Sequence, residues 1–195
     1  MKTGEEAVAV LLDALNELGF DYMVVGSFSS NRYGVPRATK DADFVLRIVA
    51  ADRQRLFARL PDAFKVDPQV SFEMVTGTWR QIIQVPEIPF LIELFELSSD
   101  PHDQSRFFRR RKLTLMSRES WLPTPEDVIV QKLRWSHGAK RSKDFDDAVS
   151  VMAIQGETEL DWPYIEKWCA EHGTLEVLAE AKAEAAPAWE DDEAG

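Results

Sequence analysis

A chain of 195 residues has room for one ordinary domain, or for a core with a small appendage. Its 45% hydrophobic content, with 6 Trp and 11 Phe, suffices to bury a core and excludes a disordered chain. A net charge of −11 excludes a surface that grips nucleic acid over its whole extent, so any such contact has to be local.

The opening MKTGEEAVAVLLDALNELG mixes acids into its apolar stretch and so lacks the core of a signal peptide. No run approaches the roughly 18 apolar residues of a membrane span. The single cysteine, Cys169, has no intramolecular disulfide partner. A cytoplasmic protein is the expectation.

Residues 4–18 read as a helix: Thr3 and Glu6 form a capping box, Val8, Leu11, Leu12, Leu15 and Leu18 make one stripe, and Gly19 stops it. Tyr22–Val25 is a short apolar strand ending at Gly26-Ser27, where a helical turn follows. Asp41–Ile48 reads as a strand and Ala51–Leu60 as a helix stopped by Pro61. Trp79–Val85 and Phe90–Leu97 are strands joined through Pro86-Glu87-Ile88-Pro89, and Lys112–Met116 is one more. After Pro123 the texture turns helical. Thr124 caps a helix with Pro125 in its first position, running to about Ser136, and further helices cover Ser142 to about Ile154 and Trp162–His172. The linear division is a mixed core over 1–120, a helical region over 121–186 and an acidic, disordered tail over 187–195. His102, His137 and His172 are dispersed and read as surface residues.

Chemistry concentrates in Gly26-Ser27 and, fourteen residues on, Asp41-Ala42-Asp43. Carboxylates at alternate positions of a strand point to one face, and they repel unless a cation sits with them. Mg²⁺ suits such a pair, because it takes oxygen ligands from one or two carboxylates plus substrate phosphates. Asp-x-Asp alone is commonplace on a solvent-facing edge. A glycine and a serine between a strand and a helix start add a place where backbone N–H groups approach an anion. On a helical wheel Lys132 falls between Val128 and Ile129, in an arc completed by Leu133 and Trp135. It either snorkels or meets a phosphate, and in both cases Lys132→Met is expected to leave the stability of the ligand-free protein equal or higher. Asp144 reads equally well as a site residue or as a first-turn acid complementing a helix dipole.

The string Gly26-Ser27, then Tyr33-Gly34-Val35-Pro36-Arg37-Ala38-Thr39-Lys40-Asp41-Ala42-Asp43, resembles the signature of the polymerase-β-like nucleotidyltransferase superfamily. It is similar in particular to the small bacterial branch that includes the AbiEii-type toxins. Pro125–Leu133 and Arg141–Asp147 resemble helical motifs of the same branch, so the resemblance covers most of residues 20–155. It implies an α+β fold, a twisted mixed sheet followed by a C-terminal helical bundle. It also implies a third carboxylate on a later strand, for which Glu93 is the matching position. Glu96 competes, but strand alternation puts it on the opposite face. The implied reaction moves a nucleoside monophosphate from an NTP such as ATP to an acceptor hydroxyl. Asp41, Asp43 and Glu93 would hold Mg²⁺, and Gly26, Ser27, Arg37, Lys132 and Asp144 would bind the nucleotide. The acceptor is a tRNA 3′ end, a protein or a small molecule of the aminoglycoside type. A polyanion would be gripped by Arg106, Arg109, Arg110, Arg111 and Lys112, a run that reads equally well as a solvated strand edge. A toxin role, with an antitoxin partner, is one expectation. A catalytically degenerate member acting as an antitoxin or binding partner is the other.

Overall fold

The structure, a computed structural model, describes residues 1, 3–139 and 142–193. It contains two compact units, one of Met1–Val25 with Ala38–Leu122, the other of Gly26–Arg37 with Pro123–Gly195.

The first unit begins with α1 (Gly4–Leu18). Thr3 Oγ1 accepts from the Glu6 N–H at 3.1 Å, and Gly19 closes the helix at φ 65°. Then come β1 (Tyr22–Val25), β2 (Asp41–Leu46), α3 (Ala50–Arg59), β3 (Lys65–Glu73), β4 (Thr78–Gln84), β5 (Leu91–Glu96), α4 (Pro101–Arg109), β6 (Arg111–Leu115) and β7 (Arg118–Leu122). Helix α2 (Gly26–Tyr33) lies between β1 and β2 in the chain but belongs to the second unit.

Five strands form one mixed sheet in the order β1-β2-β5-β4-β3, and β6 pairs with β7 separately. Within the sheet only β2 and β5 run parallel; β1–β2, β5–β4 and β4–β3 are antiparallel. β1, β2 and β5 are rich in buried apolar residues. By alternation Phe44, Ile83, Ile92 and Leu94 share one face. The other face carries Met23, Val25, Val45 and Phe95, packed with Phe107 of α4.

Three elements of this unit, β3, α4 and β7, escape a linear reading. β3 is a largely exposed edge strand whose apolar alternation, Val66, Val70 and Phe72, is interrupted by Pro68 at a register shift, and a proline inside a run argues against a strand. Helix α4 is short and polar. Asp100 caps it by accepting from the His102 and Asp103 N–H groups, with Pro101 at its first position. Its burial corrects two expectations. His102 is fully buried rather than at the surface, and Arg106 is buried against Asp103 at 2.7 Å. Arg110 pairs with Asp21 and stacks on Phe107 and Trp121, so the run Arg106–Lys112 is not one open basic patch.

The second unit comprises α2, α5 (Pro125–Ala139), α6 (Ser142–Gln155), α7 (Trp162–His172) and α8 (Leu175–Glu193). Residues 26–37, assigned to the first domain by the linear division, belong here. Tyr33 Oη donates to the Pro123 carbonyl at 2.8 Å, and Gln155 Nε2 donates to the Tyr33 carbonyl at 2.8 Å. A helix also occupies most of the segment expected as a tail: α8 continues through Pro187 to Glu193, and residues 194 and 195 lie outside the described set. Arg141 of the quoted helical motif lies outside it too.

Gly34 shows how closely the pieces of this unit approach. A Cβ there would sit 2.8 Å from Ser150 Oγ and 3.1 Å from the Val151 nitrogen on α6. Gly34→Ala should therefore cost about 1–3 kcal/mol of stability in urea unfolding, the usual scale of overpacking. An unchanged unfolding midpoint would show that the approach is not tight.

Candidate active site

The chain leaves β1 at Val25 and enters α2 at Gly26, which has φ 62°. That left-handed conformation suits glycine and strains any side chain. Within the first turns of α2, Ser29 Oγ donates to the Gly26 carbonyl and Ser30 Oγ to the Ser27 carbonyl. Ser27 is buried, and its hydroxyl accepts from Arg37 Nη2 at 3.1 Å.

Arg37 is fixed more firmly still. Its Nε and Nη2 donate to the two oxygens of Asp147 at 2.6 and 2.7 Å, a bidentate pairing. Lys132 Nζ lies 2.7 Å from Asp147 Oδ2 and 2.8 Å from Asp144 Oδ1. Ser30 Oγ donates to Asp147 Oδ2 at 3.3 Å. Lys132, Asp144 and Asp147 are all buried, whereas the Arg37 side chain is 33% exposed. Among the described residues Arg37 and Lys132 both bind Asp147, which therefore sits at the centre of the cluster. The sequence reading named Asp144 and passed over Asp147; three residues apart on a helix, they share one face.

Burial pushes the Asp147 carboxyl up. The Arg37 hydrogen bond and the Lys132 charge outweigh burial and leave it below the ordinary aspartate range. A carboxylate whose pKa falls on folding stabilises the protein above its unfolded value and loses that contribution as pH drops through its folded one. The melting temperature should therefore decline below about pH 4, and Asp147→Asn should flatten part of that decline. An identical acid slope in the variant would remove Asp147 as its source.

The carboxylates of the first unit follow the parity expected of them. Asp41 and Asp43 occupy alternate positions of β2, about 6.7 Å apart along the strand. Thr39 Oγ1 donates to Asp41 Oδ1 at 2.7 Å. In the parallel pairing of β2 with β5, Asp43 stands opposite Glu93. Glu96 projects to the other face and pairs with Arg53 of α3. Glu93 has a partner that the sequence did not suggest: Arg80 Nη1 on β4 lies 3.2 Å from Oε1 and 3.4 Å from Oε2. Arg80 shares the Glu93 face two positions from its directly paired neighbour, Ile82.

Among the described residues no three His, Cys, Asp or Glu side chains gather into a group able to hold a metal. Mg²⁺ needs no such group, because it is commonly held by one or two carboxylates and keeps phosphate and water for the rest. Asp41 and Asp43 fit it as a two-carboxylate donor set of hard oxygens. Glu93 stays outside that set while it is paired with Arg80.

The architecture is that of the nucleotidyltransferase fold, a mixed five-stranded sheet with helices. The antibiotic-resistance factor ANT(2'')-Ia matches with a TM-score of 0.60 at 14% identity, covering 92% of this chain and 97% of that one. An antigenic nucleotidyltransferase-like protein from Paracoccidioides brasiliensis matches with a TM-score of 0.56 at 17% identity, over 95% and 91%. LnuA, a lincosamide antibiotic adenylyltransferase bound to lincomycin, matches with a TM-score of 0.52 at 13% identity, over 79% and 99%. No protein-family model matches the sequence, and neither does any curated protein. No described helix is long and apolar enough to cross a membrane.

Proposed function

We propose that this chain is a nucleotidyltransferase that moves a nucleoside monophosphate from an NTP to the hydroxyl of a small acceptor, with Mg²⁺ on Asp41 and Asp43. The observation that carries the reading is the parity of Asp41 and Asp43 on β2, with Glu93 opposite Asp43 on β5. Bound there, the metal would neutralise phosphate charge and polarise the reacting oxygens. Gly26, Ser27 and Arg37 would orient the phosphates. Lys132 and Asp144, tied together at 2.8 Å, would hold that framework from behind.

A small acceptor is favoured over tRNA by charge. The chain carries −11, and its densest basic run is divided between a buried Arg106 and a stacked, ion-paired Arg110. A cationic, polyhydroxylated acceptor of the aminoglycoside type suits such a surface. ANT(2'')-Ia, crystallised with adenylyl-2''-tobramycin, shares the fold. The toxin reading, with a tRNA or protein acceptor and an antitoxin partner, remains the alternative within the same chemistry.

The Arg80–Glu93 pair favours a second reading, that of a catalytically degenerate member acting as a binding partner, because the third carboxylate is already neutralised. Ligand linkage separates the two. A non-hydrolysable NTP with Mn²⁺ should raise the wild-type melting temperature, and the double variant Asp41→Asn, Asp43→Asn should lose that rise while its ligand-free fold persists. No rise in the wild type favours the binding partner.

A further inference from the structure

We infer that Arg80 is a latch on the third carboxylate, holding Glu93 away from a metal until a bound nucleotide offers Arg80 phosphate instead. The inference rests on the nucleotidyltransferase reading above and concerns the regulation of that same site.

Neighbouring strands of a sheet lie about 4.8 Å apart, so Asp43 and Glu93 face each other as two like charges. Such charges favour a nearby cation, and Arg80 supplies one to Glu93. A single guanidinium nitrogen lies between the two Glu93 oxygens, at 3.2 and 3.4 Å, and so sets its charge against both. The guanidinium is held from its other side as well, where Nε donates to Ser71 Oγ on β3 at 3.2 Å. Ser71, Arg80 and Glu93 form a chain across β3, β4 and β5.

A divalent cation and a guanidinium repel each other and compete for the same lone pairs. Each partner therefore weakens the hold of the other on Glu93, and the site has two favoured states. Metal alone must displace Arg80 and leave its charge without an anion. Metal with a triphosphate brings an anion for Arg80, which then exchanges Glu93 for phosphate oxygens. A ligand shifts such an equilibrium only by its difference in affinity for the two states. The anion is what separates metal–nucleotide from metal alone. Arg80 is a positioning residue in this account, acting through Glu93. No bond to carbon or phosphorus is made or broken by the exchange.

The test is titration of Mn²⁺ alone, without nucleotide, into wild type, Arg80→Gln, Glu93→Gln and the double variant, followed by calorimetry or by the paramagnetic signal of the free ion. Arg80 is partly exposed, so its pair with Glu93 contributes little to folding, and the ligand-free melting temperature checks that the variant folds. Arg80→Gln should bind Mn²⁺ about fivefold more tightly than wild type. The double variant should lose that gain, since the gain is routed through Glu93. Equal affinity in wild type and Arg80→Gln, or weaker binding in the variant, overturns the latch and leaves the nucleotidyltransferase reading standing. Absence of Mn²⁺ binding in both, together with no nucleotide-dependent rise in melting temperature, overturns both.

Discussion

Lys132→Met should destabilise the ligand-free protein by about 3–5 kcal/mol, the scale for removing one partner of a buried ion pair. From sequence alone the opposite sign is expected, since a lysine in an apolar helical arc has its charge to lose and methionine fills the same length. The structure reverses that expectation. Lys132 Nζ bridges Asp144 and Asp147, and both carboxylates are buried. Without the ammonium Asp147 keeps Arg37, while Asp144 loses its contact with Lys132 at 2.8 Å. Urea unfolding at neutral pH measures the loss. Adding Asp144→Asn to Lys132→Met should recover a substantial part of it, because an amide avoids the cost of a buried charge. A change below about 0.5 kcal/mol in the single variant would mean that the pair is solvated and that Lys132 snorkels after all.

The second large effect is on turnover. Asp43→Asn should reduce transfer by about two to three orders of magnitude, the range for deleting one preorganised electrostatic group. Asp43 is the more sensitive choice because it stands both two positions from Asp41 and opposite Glu93. Glu96→Gln is the matched control: that carboxylate projects to the other face, where Arg53 holds it, and its replacement should leave turnover within a few-fold. Single-turnover rates at saturating NTP and metal separate loss of chemistry from loss of binding. Equal sensitivity of Glu96 and Asp43 would contradict the assignment of faces.

These two cases show what the sequence could and could not disclose. Strands β1, β2 and β5 were legible because their buried apolar runs leave a mark in one dimension. Glu93 was picked out by the family resemblance and set apart from Glu96 by alternation, but its place opposite Asp43 is a matter of strand register, which a single sequence does not carry. Asp147 was visible only as one acid among several in Lys143–Asp147. Its meaning comes from Arg37 and Ser30, the latter 117 residues upstream. The same separation hid the membership of residues 26–37 in the helical unit, whose evidence is contact with Pro123, Ser150 and Asp147. Arg80 carried no signal at all: on a half-buried hairpin strand, an arginine at a polar position reads as an ordinary solvent-facing residue. Helix α4 was missed because a buried His102, Asp103 and Arg106 break the rule that polar runs face water.

The most direct measurement is transfer itself. Wild-type protein and the Asp41→Asn, Asp43→Asn variant are incubated with each NTP, labelled at the α-phosphate, in Mg²⁺ with a cell extract, and products are separated into small-molecule, RNA and protein fractions. The account predicts metal-dependent label in the small-molecule fraction from wild type, with release of pyrophosphate, and none from the variant. Label in RNA or protein would replace the acceptor but keep the chemistry. Absence of labelled product from every NTP, or equal labelling by wild type and variant, would contradict the claim that Asp41 and Asp43 make this protein a nucleotidyltransferase.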